Sequence, residues 1–203
     1  MESKYRLDNN RLYYEGSDVP RNRFDIRESV TIHEIEKELL EEAYIIFFEE
    51  LDEETRFDET YFISLHRRTF ESLYEWAGEY RDFNMAKGAS RFCQGAYVGS
   101  SSEKIFDEIA QENYLKDFEH RPKAEFARRL AYYKCELIAL HPFFELNGRI
   151  TRMFFDMIAA YNGYRFIDYS HVTPQAYIDA SIDCVQLADC GAMENIIFEG
   201  LTK

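Results

Sequence analysis

Twelve consecutive residues, 141–152, carry most of the side chains that could do chemistry, and their sequence is HPFFELNGRITR. Asn147 and Gly148 lie at the predicted start of a helix, whose unpaired N–H groups and dipole favour an anion. Arg149 and Arg152, three residues apart, project from nearly the same side of its first turns. This pattern predicts a phosphate-binding site.

An acid and a base flank this predicted phosphate site. Glu145 precedes the helix, where a carboxylate could hold a Mg²⁺ ion that bridges two phosphates. His141 ends the preceding predicted helix and could take a proton from an attacking hydroxyl. Together these groups predict phosphoryl or nucleotidyl transfer.

Each of these residues also has a simpler interpretation. Two arginines in a first helical turn are often solvated or paired with some of the 38 acidic residues. A histidine at a helix end complements the dipole there, and the same dipole favours the charged imidazolium. A base role for His141 therefore requires a counteracting neighbour. Glu145 is an ordinary surface acid unless phosphates bind beside it.

The composition limits the partners of the chain. Its 24 Lys and Arg against 38 Asp and Glu give a net charge of −14, which opposes general nucleic-acid or anionic-membrane affinity, so phosphate binding must be local. The start, MESKYRLDNN, lacks the apolar core of a signal peptide, and no run reaches the roughly 20 apolar residues of a membrane span. We expect a cytoplasmic protein without membrane association. Its four cysteines lack metal-site spacing and are expected to be buried free thiols.

Helices are the expected framework, because 46% of the residues are hydrophobic and only nine Gly and four Pro occur among 203. Residues 1–28 are aperiodic and are interpreted as a lead-in packed on one globular domain, 29–203. Residues 81–98 are the only hairpin-like stretch. Apolar spacing and cap signals predict helices at 31–51, opened by a Thr31 and Glu34 capping box, at 58–78 behind an Asp58 cap, from about 102, at 122–141, at 148–161, at 174–187 and after 191.

The segment from His141 resembles the signature of the Fic family, H-x-F-x-(D/E)-G-N-(G/K)-R-x-x-R. The resemblance covers about residues 14–200 and implies an all-α Fic fold with one small β-hairpin flap. Asn22 to Ile26 resemble the family's N-terminal element, and Trp76-Ala77-Gly78 its WAG turn. The signature matches are His141, Phe143, Glu145, Asn147, Gly148, Arg149 and Arg152, and the flap matches are Arg81, Asn84, Lys87, Gly88 and Phe92.

The resemblance implies transfer of AMP from ATP, with Mg²⁺, to a Tyr, Ser or Thr hydroxyl of a target protein. His141 would be the base and Glu145 the metal ligand. The flap would dock an extended target segment by strand addition, the alternative being a hairpin that merely covers the core. The implied phosphate ligands are Asn147, Gly148, Arg149 and Arg152, and the implied docking residues are Asn84, Lys87, Gly88 and Phe92.

One residue departs from the family pattern. Leu146 stands where the family has Gly, which can adopt unusual backbone conformations close to phosphates. The competing hypothesis is therefore a catalytically degenerate Fic module that binds nucleotide or another protein. A helical scaffold without a ligand conflicts with the clustered cations.

The resemblance also bears on regulation. Many family members carry an inhibitory helix with the motif (S/T)-x-x-x-E-(G/N). The nearest fit here is Cys190 with Glu194-Asn195, which lacks the Ser or Thr. We therefore expect inhibition in trans by a small antitoxin that carries this motif, as in compact bacterial Fic toxins. Some of those toxins modify type II topoisomerases and cause cell filamentation.

Overall fold

The computed structural model describes residues 12–203 and, in addition, the main chain of Arg6 and Leu7. In this part of the chain no helix combines the length and the apolar character needed to cross a membrane. The elements in chain order are β1 (Arg6–Leu7), α1 (Ser29–Glu49), α2 (Glu59–Phe70), β2 (Met85–Lys87), β3 (Ser90–Arg91), α3 (Val98–Gln111), α4 (Lys123–Leu140), α5 (Asn147–Tyr161), α6 (Pro174–Gln186) and α7 (Gly191–Gly200).

Two consecutive helices form the centre of the core. α5 packs against α1, α2 and α4, and α4 also packs against α3, α6 and α7. From Ile150 to Ala159, nearly every residue of α5 is buried, which is typical of a helix surrounded by other elements. The connection between α4 and α5 is therefore anchored in the core at both ends.

The helix boundaries follow some of the predicted signals and not others. Asp58 caps α2 by accepting from the Tyr61 N–H at 2.8 Å, as predicted. The Thr31 capping box is wrong, because α1 begins at Ser29 and has no side-chain cap. The predicted end of the second helix at 78 is also wrong. α2 ends at Phe70, and the apolar residues that follow, such as Leu73, are buried in turns.

The predicted hairpin is confirmed as β2 and β3, which pair antiparallel around Gly88 with φ +60°. A third strand that the sequence did not predict joins it, because β1 pairs antiparallel with β2 and the sheet order is β1-β2-β3. In the described part of the lead-in, Tyr13 and Val19 are buried.

The expectation of four free thiols is wrong for two cysteines. Cys135 on α4 and Cys184 on α6 form a disulfide. Cys93 and Cys190 are free, as expected, but they are half-buried and not buried. The two bonded cysteines are 49 residues apart in sequence, and helix packing brings their Cα atoms to 4.9 Å, within the range that a disulfide needs. Sequence spacing cannot reveal a pairing that depends on how two distant helices pack.

Candidate active site

Residues 141–146 connect α4 to α5, and both ends of this loop have left-handed backbone conformations. His141 follows α4 with φ +47°, and Leu146 precedes α5 with φ +67°. Non-glycine residues adopt such angles uncommonly, and active sites are enriched in them. Leu146 thus takes the kind of conformation that a glycine would allow at this position.

The Asn147 side chain holds this loop together. Its Oδ1 accepts from the Phe143 N–H at 2.8 Å, and its Nδ2 donates to the Phe143 carbonyl at 2.7 Å. The amide is buried and serves the main chain of its own loop. A contribution of Asn147 to phosphate binding would therefore come from main-chain N–H groups in the first turn of α5.

His66 on α2 supports the loop, although it was not among the predicted site residues. Its Nδ1 accepts from the Gly78 N–H at 2.9 Å, its Nε2 lies 3.2 Å from the Glu145 carbonyl oxygen, and its ring stacks on Phe143. Burial lowers the pKa of His66 to about 3, so the ring is neutral and Nε2 donates. The only sequence signal is that a histidine falls on the buried face of α2.

Glu145 points into a cavity with its carboxylate oriented by the lead-in. The Tyr13 hydroxyl donates to Glu145 Oε1 at 2.7 Å, and the Tyr13 ring packs on Phe144. Among residues 12–203 no group of three or more His, Cys, Asp and Glu could hold a metal ion. A single carboxylate nevertheless fits Mg²⁺, which binds proteins through one or two carboxylates and takes its other ligands from phosphates and water.

The first motif arginine is paired. Arg149 Nη1 lies 2.8 Å from Oε2 of Glu36, an α1 residue that is only 3% exposed. The Tyr74 hydroxyl donates to the other oxygen of Glu36 at 2.5 Å. The alternative that a motif arginine pairs with an acid is thus confirmed for Arg149, and this pair fixes the guanidinium at the cavity wall.

Most of the predicted site residues line a cavity of about 930 Å³. Its size lies within the range of small-molecule sites. Asn84 is outside it, since its side chain accepts from the Gly95 N–H at the base of the flap. The predicted site residues that line the cavity are Lys87, Gly88, Phe92, His141, Glu145, Asn147, Gly148, Arg149 and Arg152, and α6 adds an apolar wall of Tyr177, Ile178, Ile182 and Val185.

The flap lies directly over the expected base. The Phe92 ring stacks on the His141 imidazole with centroids 3.8 Å apart and 12° between the planes. Lys87 and Gly88, at the turn of the hairpin, line the same cavity. The flap therefore covers the site as well as the core.

A group of buried polar residues, also absent from the predicted site residues, lies behind the cavity. Lys134 donates from Nζ to the hydroxyl of Tyr169, a cavity-lining residue, at 2.8 Å, and Tyr44 donates to Asp156 at 2.6 Å. Burial lowers the pKa of Lys134 and raises that of Asp156, because it disfavours the charged form of each group. These groups anchor one wall of the cavity from α4 and α5.

Comparison with known proteins agrees with this geometry. A sequence model of the Fic/DOC family matches residues 56–159. A probable protein adenylyltransferase of Sinorhizobium fredii, y4lH, is 31% identical over 179 residues, which are 88% of this chain and 90% of the relative. The probable protein adenylyltransferase Fic of Escherichia coli is 30% identical over 183 residues, 89% and 87% of the two chains. The chain belongs to the Fic/DOC family.

Solved structures show the same Fic fold. BepC of Bartonella tribocorum, crystallised with bound AMPPNP, superposes with a TM-score of 0.79 and 22% identity, covering 94% of this chain and 95% of that one. At this identity the likeness shows the fold alone. The predicted fold class, all-α with a small hairpin flap, is confirmed.

The left-handed conformation of Leu146 can be tested by comparing two buried leucines. Leu146→Val and Leu140→Val each remove one methylene, but a β-branched side chain is poorly tolerated at positive φ. We expect Leu146→Val to lower the free energy of unfolding by at least about 1 kcal/mol more than Leu140→Val does. Urea unfolding measures both, and equal losses would contradict the backbone assignment.

Proposed function

We propose that this Fic protein transfers AMP from ATP to a hydroxyl side chain of another protein. The observation that carries the proposal is that a base, an acid and two arginines at a helix N-terminus line one cavity. The chemistry agrees with the names of its Fic relatives, which are probable protein adenylyltransferases.

The phosphates of ATP would bind at the first turn of α5. Main-chain N–H groups at Gly148 and its neighbours, the α5 dipole, and the guanidiniums of Arg149 and Arg152 supply positive charge in a chain of net charge −14. Glu36 keeps Arg149 oriented along the cavity wall, where a phosphate can share it. This local concentration of charge resolves the conflict between an acidic protein and a polyanionic ligand.

Glu145 would hold Mg²⁺ that arrives with the nucleotide. A bound Mg²⁺ ion neutralises charge that develops on the phosphate oxygens. The Tyr13 hydroxyl, which donates to Glu145 Oε1, fixes the direction of the carboxylate before the nucleotide binds. Mg²⁺ remains a proposal here, since it rests on the donor chemistry of one side chain.

His141 would act as general base. Its imidazole takes the proton of the target hydroxyl, the hydroxyl oxygen forms a bond to the α-phosphorus, and the bond from that phosphorus to the bridging oxygen breaks. The products are the AMP-modified protein and pyrophosphate. The Phe92 ring on one face of the imidazole restricts its orientation.

The competing proposal is a degenerate Fic module disabled by Leu146. The left-handed conformation of Leu146 favours the active enzyme, because this residue does not force the loop into an ordinary negative-φ turn. The proposed function therefore treats the departure at 146 as compatible with catalysis.

Regulation would come from a separate antitoxin with an (S/T)-x-x-x-E-(G/N) helix. The Cys190 to Glu194 segment is a weaker candidate, because no residue of α7 is among the described residues that line the cavity. The apolar α6 wall near Arg152 offers a surface for an inhibitory helix.

The toxin class, a type II topoisomerase target and a cytoplasmic location remain predictions.

Target docking at the flap would require a rearrangement. The outer edge of β2 is paired with β1, and β3 faces α6, where Gln186 donates to the Ser90 hydroxyl at 3.0 Å. An extended target segment that pairs with the flap would therefore compete with β1 for β2. The N-terminal strand would act as a resident occupant that a target displaces.

The role of His141 is tested by two substitutions. His141→Ala and His141→Asn remove the base, and Asn tolerates the left-handed backbone at this position. We expect both variants to bind ATP and to lose AMP transfer by about 10² or more, measured as added mass on acceptor proteins. His120→Ala, at an exposed histidine, is the control. Transfer by His141→Asn at the wild-type rate would refute the base assignment.

The roles of the two motif arginines are distinguished by comparing the binding of ATP and ADP. Arg149→Ala is expected to weaken binding of both ATP and ADP by about tenfold, because it removes a charge near the shared phosphates. Arg152→Ala is expected to weaken ATP alone, because it would act on the γ-phosphate. Titration calorimetry with each nucleotide gives the four affinities. Unchanged affinities in both variants would contradict the assignment of Arg149 and Arg152 as phosphate ligands.

Competition between β1 and the target is tested at Arg6. Arg6 pairs with Ala86, and the Met85 carbonyl accepts from the Phe92 N–H on the β3 side, so the main-chain groups of Ala86 face β1 and Arg6 belongs to the hydrogen-bonded pair. Arg6→Pro therefore removes an N–H from the short β1 ladder, whereas Arg6→Ala changes the same side chain and retains the main-chain pairing. We expect Arg6→Pro to lower the KM for the target by about threefold or more relative to Arg6→Ala, since loss of a strand bond costs about 1 kcal/mol. Steady-state transfer kinetics compare both variants with wild type. A higher KM in Arg6→Pro alone would instead make β1 part of the docking surface.

A further inference from the structure

Arg81 is a buried cation that binds main-chain carbonyl groups. It is 4% exposed. Its Nε donates to the His141 carbonyl at 2.7 Å, and Nη2 donates to Leu140 at 3.0 Å. Two further hydrogen bonds run to the flap, from Nη1 to the Phe83 carbonyl and from Nη2 to the Cys93 carbonyl, both at 2.6 Å.

The charge of Arg81 is balanced by a helix end. Among the described residues no carboxylate forms an ion pair with it, and burial lowers its pKa to about 10, which leaves it charged near neutral pH. Its carbonyl partners at Leu140 and His141 belong to the C-terminus of α4, the negative end of the helix dipole. The guanidinium therefore opposes that dipole at the main chain of His141, as the counteracting neighbour that a base role requires.

These hydrogen bonds connect the flap to the loop that carries His141. Phe83 precedes β2 and Cys93 follows β3, so Arg81 holds both legs of the flap. The same guanidinium holds His141, and the main-chain N–H of Arg81 donates to the Pro142 carbonyl at 2.9 Å. The Arg81 side chain thus joins the flap to the loop, together with a main-chain bond from the Cys93 N–H to the Ala139 carbonyl at 3.0 Å.

We propose that Arg81 is a positioning residue, which sets the flap and the His141 main chain at the separation that brings a docked hydroxyl to the imidazole. The proposal rests on the proposed AMP transfer. Its chemical basis is the planar fork of donors, which bridges several carbonyls at once. A lysine keeps the charge but cannot reproduce the fork, so Arg81→Lys separates geometry from charge.

The test uses the full chain with Arg81→Lys and Arg81→Ala. We expect ATP affinity to stay within about threefold of wild type, because the α5 phosphate site is untouched, while transfer falls by about 10² through misplacement of the reacting groups. Hydrogen exchange of the β2 and β3 amides is expected to accelerate by about tenfold, because the flap loses its anchor. Added guanidinium ion is expected to restore part of the transfer lost in Arg81→Ala.

Arg129→Lys is the matched control, because Arg129 is a partly buried arginine on α4 that pairs with Glu112 away from the flap. It is expected to leave both flap exchange and transfer unchanged. Wild-type flap exchange in Arg81→Lys would overturn the proposal, whatever happens to transfer. If wild-type protein modifies no acceptor in a bacterial extract, the proposed function fails, while the exchange measurement still decides whether Arg81 anchors the flap.

Discussion

Six residues must turn the chain between two helices whose positions the core already fixes. That turn is made with left-handed backbone at His141 and Leu146, which costs roughly 1 to 2 kcal/mol for each non-glycine residue. Such conformations persist where the surroundings over-determine them. Here three side chains fix the loop through hydrogen bonds to its main chain: Asn147 binds Phe143, His66 binds Glu145, and Arg81 binds His141. These hydrogen bonds hold the strained connection in place.

The same loop and the two helices beside it also determine where positive charge lies in the cavity. In a chain with 38 acidic residues, a triphosphate can bind only where cations are concentrated. In the proposed function Arg149 and Arg152 would supply them on α5, where the buried Glu36 already holds Arg149 in place. At the other end of the loop, the Arg81 guanidinium opposes the α4 dipole. The cavity is therefore prepared electrostatically for an anion on one side and for a base on the other.

Local signals predicted much of this fold. The cap at Asp58, the helix after Gly148 and the hairpin all depend on residues close in sequence. The failures involve partners far apart in the chain, such as Cys135 with Cys184, or Glu36 with Arg149 across 113 positions. His66 was missed because its role depends on a loop 79 residues away. A two-residue strand like β1 has no periodicity to detect. The motif thus predicted residues that line one cavity, while the groups that hold the loop could be identified only from the structure.

The most direct test of the account follows the two ends of the triphosphate. The protein is incubated with a bacterial extract and ATP labelled either at the α-phosphorus or at the γ-phosphorus, and labelled proteins are separated on a gel. Attack at the α-phosphorus predicts that acceptor proteins gain the α label and no γ label. Gain of the γ label would show phosphoryl transfer and contradict the account, as would ATP binding with no transfer of either label.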